Sequence, residues 1–280
     1  MTGDDAAGAD VQGAGARAVA EWRQRDGRLV AAPAALAVEA PIALEYNGIS
    51  HAVMLATPRD LEDFALGFSL SEGIVARAAD IYDIELQHSS LGWTLQVQIA
   101  AGAFSGLKER RRSLAGRTGC GICGTESLDQ VVRPLAPLPL APGRLAPAAL
   151  ARACARLSDA QPLQQQTGAT HGAAWCDWDG HIVLAREDVG RHNALDKLIG
   201  ALVQRHVDTN EGFALITSRA SVEMVQKAAT AGITLLAAVS GPTTLAVETA
   251  ERCRLTLIGF ARGERFSVYT VRERLRLPQD

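Results

Sequence analysis

The sequence predicts an α/β protein, a layered sandwich of helices around a largely parallel sheet, preceded by a smaller α+β subdomain. Three observations carry that reading. Apolar strands alternate with helical patterns between residues 213 and 260; an Asn47-Gly48 hairpin signal stands far upstream of them; and a proline-dense stretch from Pro134 to Pro142 separates the two regions.

Residues 1–35 are rich in alanine and glycine, carry Asp4, Asp5 and Asp10, and have no apolar core, so a disordered leader is expected there. The stretch lacks the basic n-region and the continuous apolar h-region of a secretory signal. An N-terminal subdomain should then run over 36–130. Residues 41–56 alternate about Asn47-Gly48, with Ile42, Leu44 and Tyr46 before the turn and Ile49, Val53 and Leu55 after it, which is a β-hairpin. Thr57 reads as an N-cap, Pro58 as the first helical residue and Asp60 as an acid in the first turn. Leu61, Phe64, Ala65 and Phe68 follow at helical spacing, and Glu72-Gly73 closes the helix. Two further strands are expected over 81–87 and 93–100. Residues 102–130 hold too many glycines and arginines for an assigned element.

A proline-rich linker is placed over 131–147, and the α/β domain over 148–280. A helix over 147–157 comes first, then a strand over 180–185 and a helix over 193–205 that buries Leu195, Leu198, Ile199 and Leu202. Strands follow over 213–217, 234–239 and 255–260. Between them lie one helix capped by Ser221 and stopped by Gly232, and another running from Gly241-Pro242 to about Cys253. Continuous apolar strands linked by helices imply a parallel sheet covered on both faces, with right-handed crossovers. A last antiparallel edge strand is expected over 266–271.

At 280 residues, 48% hydrophobic and 21% charged, the chain has the composition of a soluble globular protein. A net charge of -3 and a pI near 6.1 argue against sequence-independent nucleic-acid binding, so any anion site must be local. No apolar run approaches the roughly 18 residues of a membrane span. A cytoplasmic location is therefore expected. Cysteines at 120, 123, 154, 176 and 253 are odd in number and scattered, unlike a disulfide framework; Cys154, Cys176 and Cys253 fall in regular elements and read as buried small hydrophobes.

Cys120 and Cys123 differ from these. They stand in Arg117-Thr118-Gly119-Cys120-Gly121-Ile122-Cys123-Gly124, where the glycines remove bulk beside the sulfurs and suit a mobile loop. A C-x-x-C pair serves as half of a zinc site, as a redox couple, or as a nucleophilic thiol with a companion. Zinc normally needs four ligands, and no second C-x-x-C or H-x-x-H pair exists here, so no permanently bound metal is expected. A thioredoxin-type couple should follow a strand, and nothing before Cys120 resembles one. The third use fits best: Lys108, Arg110, Arg111, Arg112 and Arg117 against the lone Glu109 favour thiolate. Disulfide exchange stays open.

Four polar segments stand where ligands of open α/β sheets bind. The run Arg186 to Lys197 leads from a strand end into a helix, and Arg191 and His192 beside Gly190 offer an anion or polar-ring site, against the plainer reading of a capped amphipathic helix. Ser218 and Arg219 follow one strand, and Ser240 to Thr243 the next. Phe260, Ala261, Arg262, Gly263, Glu264 and Arg265 follow the third, with two guanidiniums around a glycine, a pairing suited to phosphate oxygens.

Taken in order, Asp60 to Phe68 with Ser71-Glu72-Gly73-Ile74, Cys120-Gly121-Ile122-Cys123-Gly124, Glu187 to Lys197, Thr217 to Ser221, Ser240 to Thr243 and Gly259 to Tyr269 resemble the FdhD family of formate dehydrogenase accessory sulfurtransferases. The resemblance implies a cytoplasmic homodimer with a cytidine-deaminase-like α/β core. It implies a carrier that takes sulfur from a cysteine desulfurase as a persulfide and passes it to the bis-guanine-dinucleotide molybdenum cofactor, bound as a substrate, for formate dehydrogenase. Cys120 is then the persulfide carrier and Cys123 its assistant. Residues 260–265 are implied at the guanine end of the cofactor, with Arg191, His192, Ser218 and Arg219 helping to hold it. Deaminase chemistry is not implied, because neither H-x-E nor P-C-x-x-C occurs. A thiol-disulfide oxidoreductase and a non-catalytic cofactor chaperone are the alternatives.

Overall fold

The structure, a computed structural model, describes residues 15–114, 133–141 and 144–276, with only the backbone over 110–114. Cys120 and Cys123 lie outside the described residues.

From Ala16 on, the first elements correct the expectation of a disordered leader over 1–35; residues 1–14 lie outside the described residues. Residues of β1 (Ala16–Arg25) and β2 (Arg28–Ala37) pair antiparallel along their whole length, about a turn in which Asp26 and Gly27 take φ 50° and 77°. Alanine-rich composition hid a period-two pattern that sets all the charges on one side of the ribbon.

A four-stranded sheet follows, of β3 (Ala40–Tyr46), β4 (Ile49–Ala56), β5 (Ile81–Ser89) and β6 (Gly92–Ile99), in the order β4-β3-β6-β5. The turn between β3 and β4 falls on Asn47-Gly48 as expected, both at positive φ. The Asn47 side chain also ties it to β6, donating to Ile99 O at 3.0 Å and accepting from Ile99 N at 2.8 Å. One face of the sheet, with Ile42, Leu44, Tyr46, Leu95 and Val97, packs on Phe64 and Phe68 of α1 (Leu61–Ser71) and Leu107 of α2 (Ala101–Leu114).

Helix α1 starts three residues later than the sequence suggests. Thr57 does not cap it, because tertiary partners claim that residue. Its backbone N–H donates to Asp188 Oδ2 at 3.0 Å, its hydroxyl accepts from Val189 N, and its carbonyl accepts from Lys197 Nζ at 2.8 Å. Asp60 becomes the N-cap, in the left-handed region at φ 52°. Helix α2 occupies a region left unassigned from the sequence.

The second half is built on a six-stranded sheet of β7 (His171–Asp177), β8 (Ile182–Asp188), β9 (Gly212–Ile216), β10 (Leu235–Ala238), β11 (Thr256–Arg262) and β12 (Arg265–Val268), in the order β12-β11-β10-β9-β7-β8. Only β9, β10 and β11 run parallel; β7 is antiparallel to both β8 and β9, so the sheet is mixed. The sequence does not reveal β7, whose Gly172-Ala173-Ala174 lacks the β-branched residues of a buried strand. Edge strand β12 is antiparallel to β11, as expected.

Helices cover both faces. Ala214, Ile216, Leu236 and Leu257 meet Leu195, Leu198 and Leu202 of α5 (Arg191–Gln204), Met224 and Val225 of α6 (Val222–Thr230), and Ala246 and Ala250 of α7 (Thr244–Arg252). The alternate side chains, Phe213, Leu215, Leu235, Ala237 and Ile258, meet Leu150 and Ala153 of α3 (Pro147–Arg156). A short α4 (Pro162–Thr167) has its N-terminal amides of Leu163 and Gln164 held by the Glu187 carboxylate at 2.9 and 2.7 Å. The proline-rich stretch follows the surface of this half as a strap. Leu138 is buried with its N–H on Cys253 O at 2.8 Å, and Leu145 pairs with the strand-like Leu275.

The two sheets are joined through α1, which is buried nearly all round between the first sheet and α5. The helices touch backbone to backbone: a Cβ on Gly67 would sit 1.7 Å from Asp196 O, and one on Gly200 1.9 Å from Asp63 O. Among the described residues, no helix is long and apolar enough to cross a membrane.

Candidate functional site

Parallel strands end on one edge, so the loops that follow β9, β10 and β11 are neighbours. Hydrogen bonds stitch them together. Thr243 N donates to Ala220 O at 3.1 Å, Phe260 N to Ser240 O at 3.2 Å, and Arg262 Nε to Val239 O at 3.3 Å. Because β7 runs antiparallel to β9, its first residues reach the same edge, where Gly172 N donates to Thr217 Oγ1 at 3.0 Å.

Phe260 stands at one end of this row. Its backbone is in the left-handed region, φ 55°, costly for an aromatic residue, and its ring is half exposed. The ring lies against Gly241, where a Cβ would come within 2.7 Å of Phe260 Cζ. Beyond it, Gly263 at φ 55° and Glu264 form the turn into β12, leaving Arg262 and Arg265 paired across the ladder with both side chains in solvent. Ala261 points the other way, into the core. Ser218 is buried, its hydroxyl donating to Arg219 O at 3.1 Å, and Arg219 is exposed at the middle of the row.

The far end is the N-terminus of α5. Most of the run from Arg186 to Lys197 is structural. Asp188 is fully buried and accepts from Gly190 N at 2.7 Å, Asn193 Nδ2 at 2.9 Å, Lys197 Nζ at 2.6 Å and Thr57 N at 3.0 Å. Arg186 is spent on Asp63, at 2.7 Å. Arg191 and His192 are the members of that run left for the edge. Arg191 Nε is buried without a hydrogen-bond partner among the described residues, and His192 Nε2 stands 4.0 Å from Glu223 Oε2, beyond hydrogen-bond reach.

The charges at this edge are guanidiniums and one carboxylate. Burial, then the Arg191 charge, push the His192 imidazole down to about 4, against the opposing pull of Glu223. His171, on β7, is lowered by the same two causes. Burial would raise the Glu223 carboxyl, but the Ser221 hydroxyl, its own backbone N–H and the charges of His192 and Arg191 hold it below the carboxylate range. Both histidines are neutral at neutral pH, so Arg191, Arg219, Arg262 and Arg265 supply the positive charge. From β7 to β11 is three strand spacings, roughly 14 Å at ~4.8 Å each, a row long enough for an extended ligand with more than one phosphate. Glu223 and His171 were not found from the sequence; the Ser221-x-Glu223 pattern at a helix start was the available signal for the first.

His192 makes stability depend on pH. Its imidazole binds a proton near 6.5 when unfolded but only near 4 when folded, so between those values the unfolded state holds more protons and stability falls as pH falls. Replacing His192 with Gln should flatten the thermal-melt profile between pH 6.5 and 4, removing on the order of 2 kcal/mol of pH dependence. Parallel profiles for the variant and the parent would refute this.

Behind the edge lies a second buried ionic group that sequence reasoning missed. Lys227 Nζ contacts Glu72 Oε1 at 2.6 Å and both oxygens of Asp196 at 2.9 Å, and Ser71 Oγ donates to Asp196 Oδ1 at 2.5 Å. Arg133, the first described residue after the cysteine segment, grips the same place. Its guanidinium donates to Ser71 O at 2.9 Å and pairs with the Glu72 carboxylate. The described chain thus resumes, after residues 115–132, beside the C-terminus of α1.

The three described thiols are poor nucleophiles. Burial pushes Cys154 up to about 11 and raises Cys176 and Cys253 as well. Among the described residues, no three His, Cys, Asp or Glu side chains come together to hold a metal. A cavity of about 380 Å³ lined by Leu70, Val75, Ile199, Leu202 and Val207 lies between α1, α5 and α6, away from this edge, and lacks charge for a phosphate.

The model of the FdhD/NarQ family matches residues 37–276. A sulfur carrier protein FdhD of Cupriavidus necator is 57% identical over 259 residues, covering 92% of this chain and 89% of its own. One of Variovorax paradoxus is 54% identical, covering 84% of each. A crystal structure from Desulfotalea psychrophila, titled as a candidate formate dehydrogenase accessory protein, superimposes with a TM-score of 0.72 at 25% identity, over 93% of this chain and 99% of that one.

Proposed function

The chain belongs to the FdhD/NarQ family, and from that premise we propose that it is a sulfur carrier for the maturation of formate dehydrogenase. The observation that carries the reading is its 57% identity to a named sulfur carrier over nearly its whole length. The thiols support it: with Cys154, Cys176 and Cys253 buried or half-buried and shifted up, sulfur chemistry falls to Cys120 and Cys123.

In this reading the Cys120 thiolate attacks the outer sulfur of a persulfide on a cysteine desulfurase. A new S–S bond forms, the donor leaves as thiolate, and Cys120 holds the persulfide, with Cys123 assisting. The substrate that receives the sulfur is the bis-guanine-dinucleotide molybdenum cofactor, laid along the sheet edge. Phe260 offers its half-exposed ring to the guanine, and Arg262, Arg265, Arg219 and Arg191 meet the phosphates, with His192 and Ser218 beside them. Ala261, Gly263 and Glu264 shape the turn that presents these groups. The layered core is taken as cytidine-deaminase-like, and the working protein as a cytoplasmic homodimer.

The test is chemical. After incubation with desulfurase and cysteine, alkylation and mass spectrometry should find one added sulfur on Cys120, and Cys120→Ala should lower formate dehydrogenase activation to background. Full activation by Cys120→Ala would end the proposal. Equal loss with Cys123→Ala would point to disulfide cycling, and activity without either thiol to a cofactor chaperone.

A further inference from the structure

The β1–β2 ribbon has a face left uncovered among the described residues. In its register, alternation places Ala18, Ala20, Trp22 and Gln24 with Leu29, Ala31, Pro33 and Ala35 on one side, without a charge among them. All but Ala35 are exposed, and Trp22 is 70% so. The charged residues Arg17, Glu21, Arg23, Arg25 and Arg28 are on the other side. A two-stranded hairpin is marginal by itself in water, and a long apolar face on one marks an interaction surface.

A second open surface answers it. The helices α1 and α2 cover only one face of the four-stranded sheet. The other presents Pro41, Ala43, Val53 and Leu55, adjacent across the β3–β4 ladder, with Val53 63% and Leu55 56% exposed. Small side chains on the ribbon allow close sheet-on-sheet packing over these two aliphatic residues. Charge is complementary as well. The ribbon with its turn carries four arginines and two acids (4 − 2 = +2), whereas β3, β4, β5 and β6 carry Glu45, Asp83 and Glu85 and no Lys or Arg (−3). Glu45 and Glu85 both pair with Gln96, on the same open face. Arginine stems reach round a ribbon edge to such carboxylates.

We propose that the β1–β2 ribbon of one copy packs its uncharged face on the open face of the four-stranded sheet of a second copy, and reciprocally, forming a twofold dimer. Area decides between this and ribbon-on-ribbon packing. A ribbon of ten residues covers roughly 34 by 10 Å, so two ribbons face to face bury only about 700 Å², the size of a crystal contact, whereas two reciprocal ribbon–sheet contacts bury about 1,400 Å², within the range of specific interfaces. Symmetry supplies both contacts at once. This inference deepens the dimer proposed above and is independent of the sulfur chemistry.

The experiment uses the full chain and light scattering after size exclusion at about 10 μM. The parent should be a dimer. Trp22→Glu and Leu55→Lys, both at exposed positions and checked for unchanged circular dichroism, should each weaken it at least tenfold and run as monomers. Mixed together they should form a heterodimer, because the intact ribbon of the Leu55→Lys copy meets the intact sheet of the Trp22→Glu copy, while in the second contact the introduced carboxylate and ammonium have opposite charge. A parent monomer overturns both this assignment and the dimer itself. A dimer indifferent to both substitutions keeps the dimer and overturns the assignment, and so does a mixture that stays monomeric; loss of the dimer with Trp22→Glu but not with Leu55→Lys overturns it too and would indicate ribbon-on-ribbon packing.

Discussion

Gly67→Ala is expected to lower stability by about 3 kcal/mol or more, toward the upper end of what an added core methyl costs, although alanine is the better helix former by about 1 kcal/mol. The reason is the joint between α1 and α5. The new Cβ would lie 1.7 Å from Asp196 O and 2.7 Å from both Asp196 C and Gly200 N, all backbone atoms that no rotamer can move aside. Gly200→Ala meets Asp63 O at 1.9 Å and should cost as much. Either change separates the two helices, and α5 carries Arg191 and His192 at the sheet edge, so ligand binding should fall together with stability. Gly106→Ala, in α2 with nothing within 4 Å of its Cβ, is the control and should be neutral or slightly stabilising. Thermal melts decide it. Gly67→Ala should melt about 6–12 °C below the parent, at 2–4 °C per kcal/mol for a chain of this size, and a melt within about 2 °C would show that the helices part freely.

Lys227→Met should cost about 3–5 kcal/mol, the usual loss when one partner of a buried ion pair is removed. Burial alone would lower the Lys227 pKa, but Asp196 and Glu72 more than offset it and raise it, so the ammonium is charged and central. Without it Asp196, 1% exposed, is left with the Ser71 hydroxyl, while Glu72 keeps Arg133. Burial already raises the Asp196 carboxyl above its ordinary value, and loss of Lys227 raises it further. The folded variant then binds a proton more readily than its unfolded chain, so its stability is retained at low pH and lost as pH rises. The gap between variant and parent should therefore narrow as pH falls from 7 toward 5. Adding Asp196→Asn should recover part of the loss at pH 7, since it removes the stranded charge. Denaturant titrations at the two pH values test both statements, and a gap that is constant with pH would refute the account.

The segments that were legible in the sequence owe their structure to neighbours along the chain. Asn47-Gly48 fixed a hairpin because two consecutive positive φ values suit few other pairs. The continuous apolar runs that became β9, β10 and β11 gave a parallel core and placed Ser218, Arg219 and residues 260–265 on one edge. Three other elements were not legible, each for a physical reason. Strand β7 is built from glycine and alanine and takes its place from pairing with β8 and β9 on either side. The β1–β2 ribbon is alanine-rich and reads as leader unless the alternation of its charges is weighed. Helix α2 carries Gly102 and Gly106, which helix propensity disfavours.

By itself, the sequence determined the chemistry available to this protein: a paired thiol among glycines and arginines, three further cysteines placed for burial, and arginine- and glycine-bearing loops after consecutive strands. Only the tertiary structure decided what each charged residue does. Glu187 and Asp188 look like site residues beside Arg191 and His192, yet the fold spends Glu187 on the amides of α4 and Asp188 on Lys197, Asn193 and Thr57. Glu72, Asp196 and Lys227 look like ordinary surface charges until α1, α5 and α6 converge on them. Charge pairing in a buried place depends on which helices meet, and helices meet here because Gly67 and Gly200, 133 residues apart, leave their backbones bare at the same crossing. Contacts over that separation leave no local pattern to read.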